Sequence, residues 1–132
     1  MSTSEGAEGA SLFIQSYGNG RFRISGTVHA SSVLVSAARV LPWDVAALAG
    51  LSVEAWIAGV APLLSGEEPG PRPQILLIGC GETALPVPDE VRAWLRDQGA
   101  VAEAMNTGAA CRTFNVLRAE DRLVAAALIA VP

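Results

Sequence analysis

Lysine is absent from this 132-residue chain, and all nine of its basic residues are arginine. Histidine occurs once, cysteine twice, and aromatic residues make up 5% of the sequence. Each scarcity closes a class of function. One histidine (His29) and two cysteines (Cys80 and Cys111) cannot supply the four closely spaced ligands of a closed zinc site, so no metal centre is expected. Two cysteines are too few for the disulfide framework of a small secreted scaffold, and both thiols are expected to be reduced. Neither G-x-S-x-G, G-x-G-x-x-G nor a P-loop occurs, so no cofactor is expected. The longest apolar run, Leu123 to Val131, is nine residues, against the ~20 of a membrane-spanning helix. The first basic residue is Arg21, which is unlike the basic start of a signal peptide or an Arg-rich transit peptide. A net charge of −4 argues against nucleic acid and anionic membranes as partners. These exclusions point to a soluble, cytoplasmic, prokaryotic protein that does not insert into a membrane.

What is present is a chain with 51% apolar residues, of a length that suits one domain. Residues 1–11 are small and polar and read as a short disordered tail, leaving 12–132 as a single domain. The scattered arginines of this Ala- and Gly-rich sequence reflect GC-rich codon usage better than phosphate recognition.

The N-terminal half is β-rich. Leu12-Phe13-Ile14 is a short apolar run, and Tyr17-Gly18-Asn19-Gly20 is turn chemistry. Phe22 and Ile24 alternate with Arg21, Arg23 and Ser25 as in a half-buried strand. Thr27-Val28-His29, Val33-Leu34-Val35 and Val40-Leu41 follow, the last running into Pro42, which suits only an edge. Asp44 is placed to cap a short helical turn over 45–49. Ser52 caps a helix whose Val53, Trp56, Ile57, Val60 and Leu64 share a face. After a Pro- and Gly-rich loop at 65–73, strands at 74–78, 101–105 and 123–129 alternate with helices beginning near Pro88 and Asn106-Thr107. Such alternation implies an α/β fold with a partly parallel sheet.

In open α/β sheets ligands sit beyond the carboxyl ends of strands. Gly79-Cys80-Gly81-Glu82 and Asn106-Thr107-Gly108 are the corners there, and neighbouring strands would bring them to one lip. Free amides at 108–110, with Arg112 nearby, would then suit an anion. Cys111, near a helix start, gains a lowered thiol pKa in the same reading, and Cys80 offers a possible redox partner. The bland reading weighs against this: Asn and Thr cap helices by default, Cys is commonly buried, and no base accompanies either thiol. Trp43-Asp44 is the other candidate surface, with Trp43 either an exposed partner anchor or a core staple.

The stretches 17–24 (YGNGRFRI), 32–35 (SVLV), Pro42-Trp43, 75–82 (ILLIGCGE) and 105–117 (MNTGAACRTFNVL) resemble, in that order, the domain-of-unknown-function 498 family. The similarity runs over about residues 12 to 130. It implies a three-layer α/β domain with a mixed central sheet and no established enzymatic activity. A mitochondrial relative in that family takes part in the assembly of respiratory complex I through protein partners. Cys80 departs from the family pattern, where Thr or Ser is expected. Two readings follow: an interaction or assembly-factor domain, and a small anionic-ligand binder or enzyme using 79–82 and 106–112.

Overall fold

A computed structural model describes residues 12–66 and 70–132, so the expected tail at 1–11 lies outside the described residues. Among the described residues, eight strands, β1 (Ile14–Gly18), β2 (Arg21–Ile24), β3 (Thr27–His29), β4 (Val33–Val35), β5 (Val40–Pro42), β6 (Ile75–Gly79), β7 (Val101–Met105) and β8 (Val124–Leu128), accompany three α-helices. The helices are α1 (Val53–Val60), extended by a 3-10 turn at Ala61–Leu63, α2 (Asp89–Asp97) and α3 (Thr107–Ala119).

Local chemistry sets most of these limits. Asn19 and Gly20, then Ser25 and Gly26, take positive φ and make the two tight hairpin turns of β1–β2–β3. The Ser52 side chain accepts a bond from the Ala55 amide and starts α1. Gly99, at φ 87°, lets the chain leave α2. Pro42 lies in β5, the outermost strand of its sheet, where a missing amide costs no ladder bond.

The β-rich half is divided between two sheets. β1, β2 and β3 form a separate antiparallel sheet, while the central sheet has the order β5-β4-β8-β6-β7. In the central sheet β4 runs antiparallel to β5 and β8, and β8, β6 and β7 are parallel. The domain is therefore three-layered with a mixed central sheet. Alternation along the central strands builds a core on each face. Leu34, Leu76, Ile78, Ala125 and Ala127 pack with Trp56, Val60, Val91 and Leu95 of α1 and α2. Val33, Val35, Leu77, Val124, Ala126 and Leu128 pack with Phe114 of α3 and with Phe22 and Ile24 of the small sheet. Three consecutive alanines in β8 leave room for large side chains from both outer layers. Phe22 and Phe114 are fully buried, and each such side chain contributes roughly 2–3 kcal/mol of transfer free energy.

Two local expectations are corrected. Residues 45–49 form no helical turn: five residues cannot repay helix nucleation, and Leu48 is instead drawn into the core. The first strand begins at Ile14 rather than Leu12, leaving Phe13 53% exposed.

Candidate functional site

The two glycine-bearing corners meet. β6 and β7 are parallel neighbours, so their carboxyl ends lie side by side. The Cys80 amide donates to the Met105 carbonyl (2.8 Å), and the Thr107 amide donates to the Gly81 carbonyl (2.8 Å). The Thr107 hydroxyl accepts from the Gly81 amide (2.9 Å) and donates to the Ile129 carbonyl (2.7 Å). The Ile129 amide in turn donates to the Gly79 carbonyl (2.9 Å). One fully buried threonine therefore ties the exits of β6 and β8 to the start of α3. Gly79 is needed for that closeness: a Cβ there would stand 2.9 Å from Leu128 Cδ2 and 3.1 Å from Thr107 Cα.

This arrangement changes the reading of the lip. Asn106, not Thr107, supplies the capping side chain, its Oδ1 accepting from the Ala109 amide (2.8 Å). The Ala110 amide donates to the Asn106 carbonyl (3.0 Å). Two of the three amides expected to be open for an anion are thus engaged within the chain. Gly108 itself is buried and packs against Tyr17, whose Cζ lies 2.9 Å from where a Gly108 Cβ would stand. Arg112 is exposed, with one guanidinium nitrogen 3.4 Å from the same point. Glu82 is exposed beyond Gly81.

The thiols do not form a pair. Cys80 belongs to the core beneath α1 and α2, and Cys111 to the core on the opposite face of the sheet. Both are free and buried. Cys80 makes only weak contacts, with the Ile78 and Leu85 carbonyls (3.7 Å each). Burial pushes the Cys111 thiol up to about 12, outweighing the lowering effect of Arg112. The expected lowering at a helix start is thereby reversed, because desolvation of a thiolate costs more than the helix end and one exposed arginine return.

Trp43 is 4% exposed and is a core staple rather than an exposed anchor. Its amide donates to the Ser32 carbonyl (2.8 Å), and its ring lies against α1 where Gly59 makes space. A Cβ on Gly59 would be 2.8 Å from the indole Nε1, which is buried and has no hydrogen-bond partner among the described residues. Asp44 stays exposed at the rim of an open depression of about 340 Å3 with Ser31 and Ser32. β5 runs in the same direction as β6, β7 and β8, so Trp43 and Asp44 emerge at the same end of the sheet as the two corners. β4 and β8 stand between the two groups.

Two residues without an expected role connect the layers here. Tyr17 covers the start of α3, and Asn115 holds β1, its amide group bonding both the Ile14 N–H and C=O (2.9 Å each). An asparagine on the inner side of a helix is the signal for such a bond, but its partner is 101 residues away. An open depression of about 430 Å3 lies between β1 and α3, lined by Phe13, Tyr17, Cys111, Arg112 and Asn115 among others. Among the described residues no cluster of three or more His, Cys, Asp or Glu could hold a metal ion. No helix among them is long and apolar enough to cross a membrane.

Residues 14–129 match the family described as "Protein of unknown function (DUF498/DUF598)". An uncharacterised protein of Rhodobacter capsulatus is 33% identical over 136 aligned positions, covering 100% of this chain and 95% of that protein. NADH dehydrogenase (ubiquinone) 1 alpha subcomplex assembly factor 3 of Xenopus tropicalis is 30% identical over 118 positions, covering 89% of this chain. The chain spans 61% of that relative's length. A crystal structure described as an outer membrane protein from Bartonella henselae superposes with a TM-score of 0.77 at 35% identity, covering 93% of this chain and 98% of the other.

Proposed function

For a chain that belongs to the DUF498/DUF598 family, we propose a role as a protein-interaction domain without catalytic activity, one that assists the assembly of a membrane complex. The corresponding task in the assembly factor's own name makes respiratory complex I, or a complex related to it, the suggested beneficiary. Protein subunits or other assembly factors are the proposed partners, met in the cytoplasm, and two unpaired cysteines fit a reducing compartment.

The observation that carries this reading is the closure of the lip. Thr107 and Gly81 use their polar groups on each other and on Ile129, and Asn106 uses its own on the Ala109 and Ala110 amides. A ligand there would have to break bonds that hold the sheet ends together. The buried Cys111 thiol is protonated at neutral pH and is no nucleophile.

Affinity purification of the tagged full chain from its native host, followed by mass spectrometry, tests the proposal. Recovery of specific subunits or assembly proteins of one membrane complex is the expected result. The competing reading, an anionic-ligand binder or enzyme at 79–82 and 106–112, is tested by thermal shift with phosphate, nucleotides and carboxylates. A true ligand at 100 times its Kd would add about 2.7 kcal/mol, and such a shift, lost in R112Q, would replace the interaction reading.

A further inference from the structure

The distribution of charge is uneven in a way the net value hides. Residues 12–43 carry three arginines and no carboxylate, whereas residues 44–132 carry six arginines against eleven carboxylates. Two of the three, Arg21 and Arg23, lie on β2 and are exposed, while Phe22 and Ile24 between and beyond them are buried. Neither β1, β2 nor β3 contains an acidic residue. Cross-strand register places Ser16 and Val28 on either side of Arg23, and Gly18 opposite Arg21. The outer face is thus a short row of Ser16, Arg23 and Val28 with Arg21 beside it. It lines an open depression of about 330 Å3. Val28 is 48% exposed, and among the described residues β3 has no strand on its outer side.

Resting on the reading of the chain as an interaction domain, we propose that this outer face docks an extended acidic segment of a partner protein. Arg21 and Arg23 are two residues apart on one strand, which separates their side chains by about 7 Å along the sheet. Carboxylates at alternate positions of an extended peptide repeat at that same interval. Each guanidinium can fork a carboxylate through two bonds, and Val28 offers apolar contact beside Arg23. The open side of β3 allows the peptide backbone to run along the sheet edge. Nucleic acid and anionic bilayers fit less well. Duplex DNA presents a charge every ~1.7 Å and lipid-binding patches use about 4–8 basic residues, so either would extend past two arginines onto the acidic remainder of the molecule.

Fluorescence anisotropy with the purified full chain and a short labelled peptide alternating Glu and Val tests the assignment. The peptide is expected to bind, and its Gln-for-Glu counterpart is not. The R21Q/R23Q variant should keep the wild-type melting temperature yet weaken peptide binding about tenfold or more, as expected for loss of two charge-assisted contacts. The R96Q/R122Q variant, which removes equal charge on exposed positions elsewhere, should bind as wild type. Three outcomes overturn the proposal: no peptide binding, equal binding by R21Q/R23Q, or tighter binding to oligothymidine or phosphatidylserine vesicles. Tighter peptide binding by E5Q/E8Q would also overturn it, reassigning the face to the chain's own N-terminal segment. Any of these leaves the interaction-domain reading intact, because that reading fails only on the host purification or on a specific ligand at the lip.

Discussion

The two sheets of this domain use the same alternation of side chains for opposite ends. In the central sheet β6 and β8 are covered on both sides, with every residue of β8 buried, and its strand exits are bound to each other through Thr107. The small sheet is covered on one side alone: Phe22 and Ile24 go inward, Arg21, Arg23 and Val28 outward. The first is acidic in its surroundings and closed; the second is basic and open. A scaffold can thus be made stiff where its sequence looks most like a ligand site and be left available where it looks like plain structure. Glycines at strand ends mark tight chain packing here, not a cradle.

The division is tested most severely at Phe114, which lies fully buried in the core shared by both sheets. Phe114→Ala should cost ~3–5 kcal/mol, read by urea unfolding. A single transition is expected to persist, whereas early, separate loss of the small sheet would show that it is a loosely attached accessory. Thr107→Val tests the closed end. It strands the Gly81 amide and the Ile129 carbonyl, at ~1–3 kcal/mol each, so a loss of ~2–6 kcal/mol is expected against ~1 or less for Thr107→Ser. If valine and serine proved alike, the threonine would be a passive filler.

Asn115→Ala removes the two bonds to Ile14, for an expected loss of ~2 kcal/mol at ~1 kcal/mol per bond. Hydrogen exchange sharpens the contrast: the Ile14 amide should lose protection far more than those of β6. The last contrast concerns pH. Cys111 has its pKa raised from 9.0 to about 12 in the folded chain, so the unfolded chain ionises first. The stabilising contribution is complete below pH 9 and disappears as pH rises toward 12. Between those values wild type should lose up to about 1.4 kcal/mol per pH unit more than Cys111→Ala. Parallel curves would mean that solvent reaches the thiol.

Signals carried by neighbours in sequence were readable without coordinates. Ser52 and Gly99 mark helix limits, 21–24 shows its two faces, and the apolar run at 74–78 lies within one residue of β6. The meeting of the corners near 80 and 107 follows once parallel pairing is assumed, and it holds. What could not be read depends on partners far along the chain. The split into two sheets turns on which strands pair, and the fate of the amides at 109 and 110 on how Asn106 is used. Trp43 is buried because Gly59 leaves space for it, and Cys111 is raised because a second layer covers it. Neither cause is local.

Asn115 has one more effect. An unpaired strand border invites neighbouring molecules to add on and seed fibrils. Along β1 that invitation is withdrawn by a side-chain amide that mimics the missing strand. Pro42 blunts β5, and exposed Glu103 puts a charge on β7. With those borders guarded, β3 is left as the open edge along which the proposed partner segment would run.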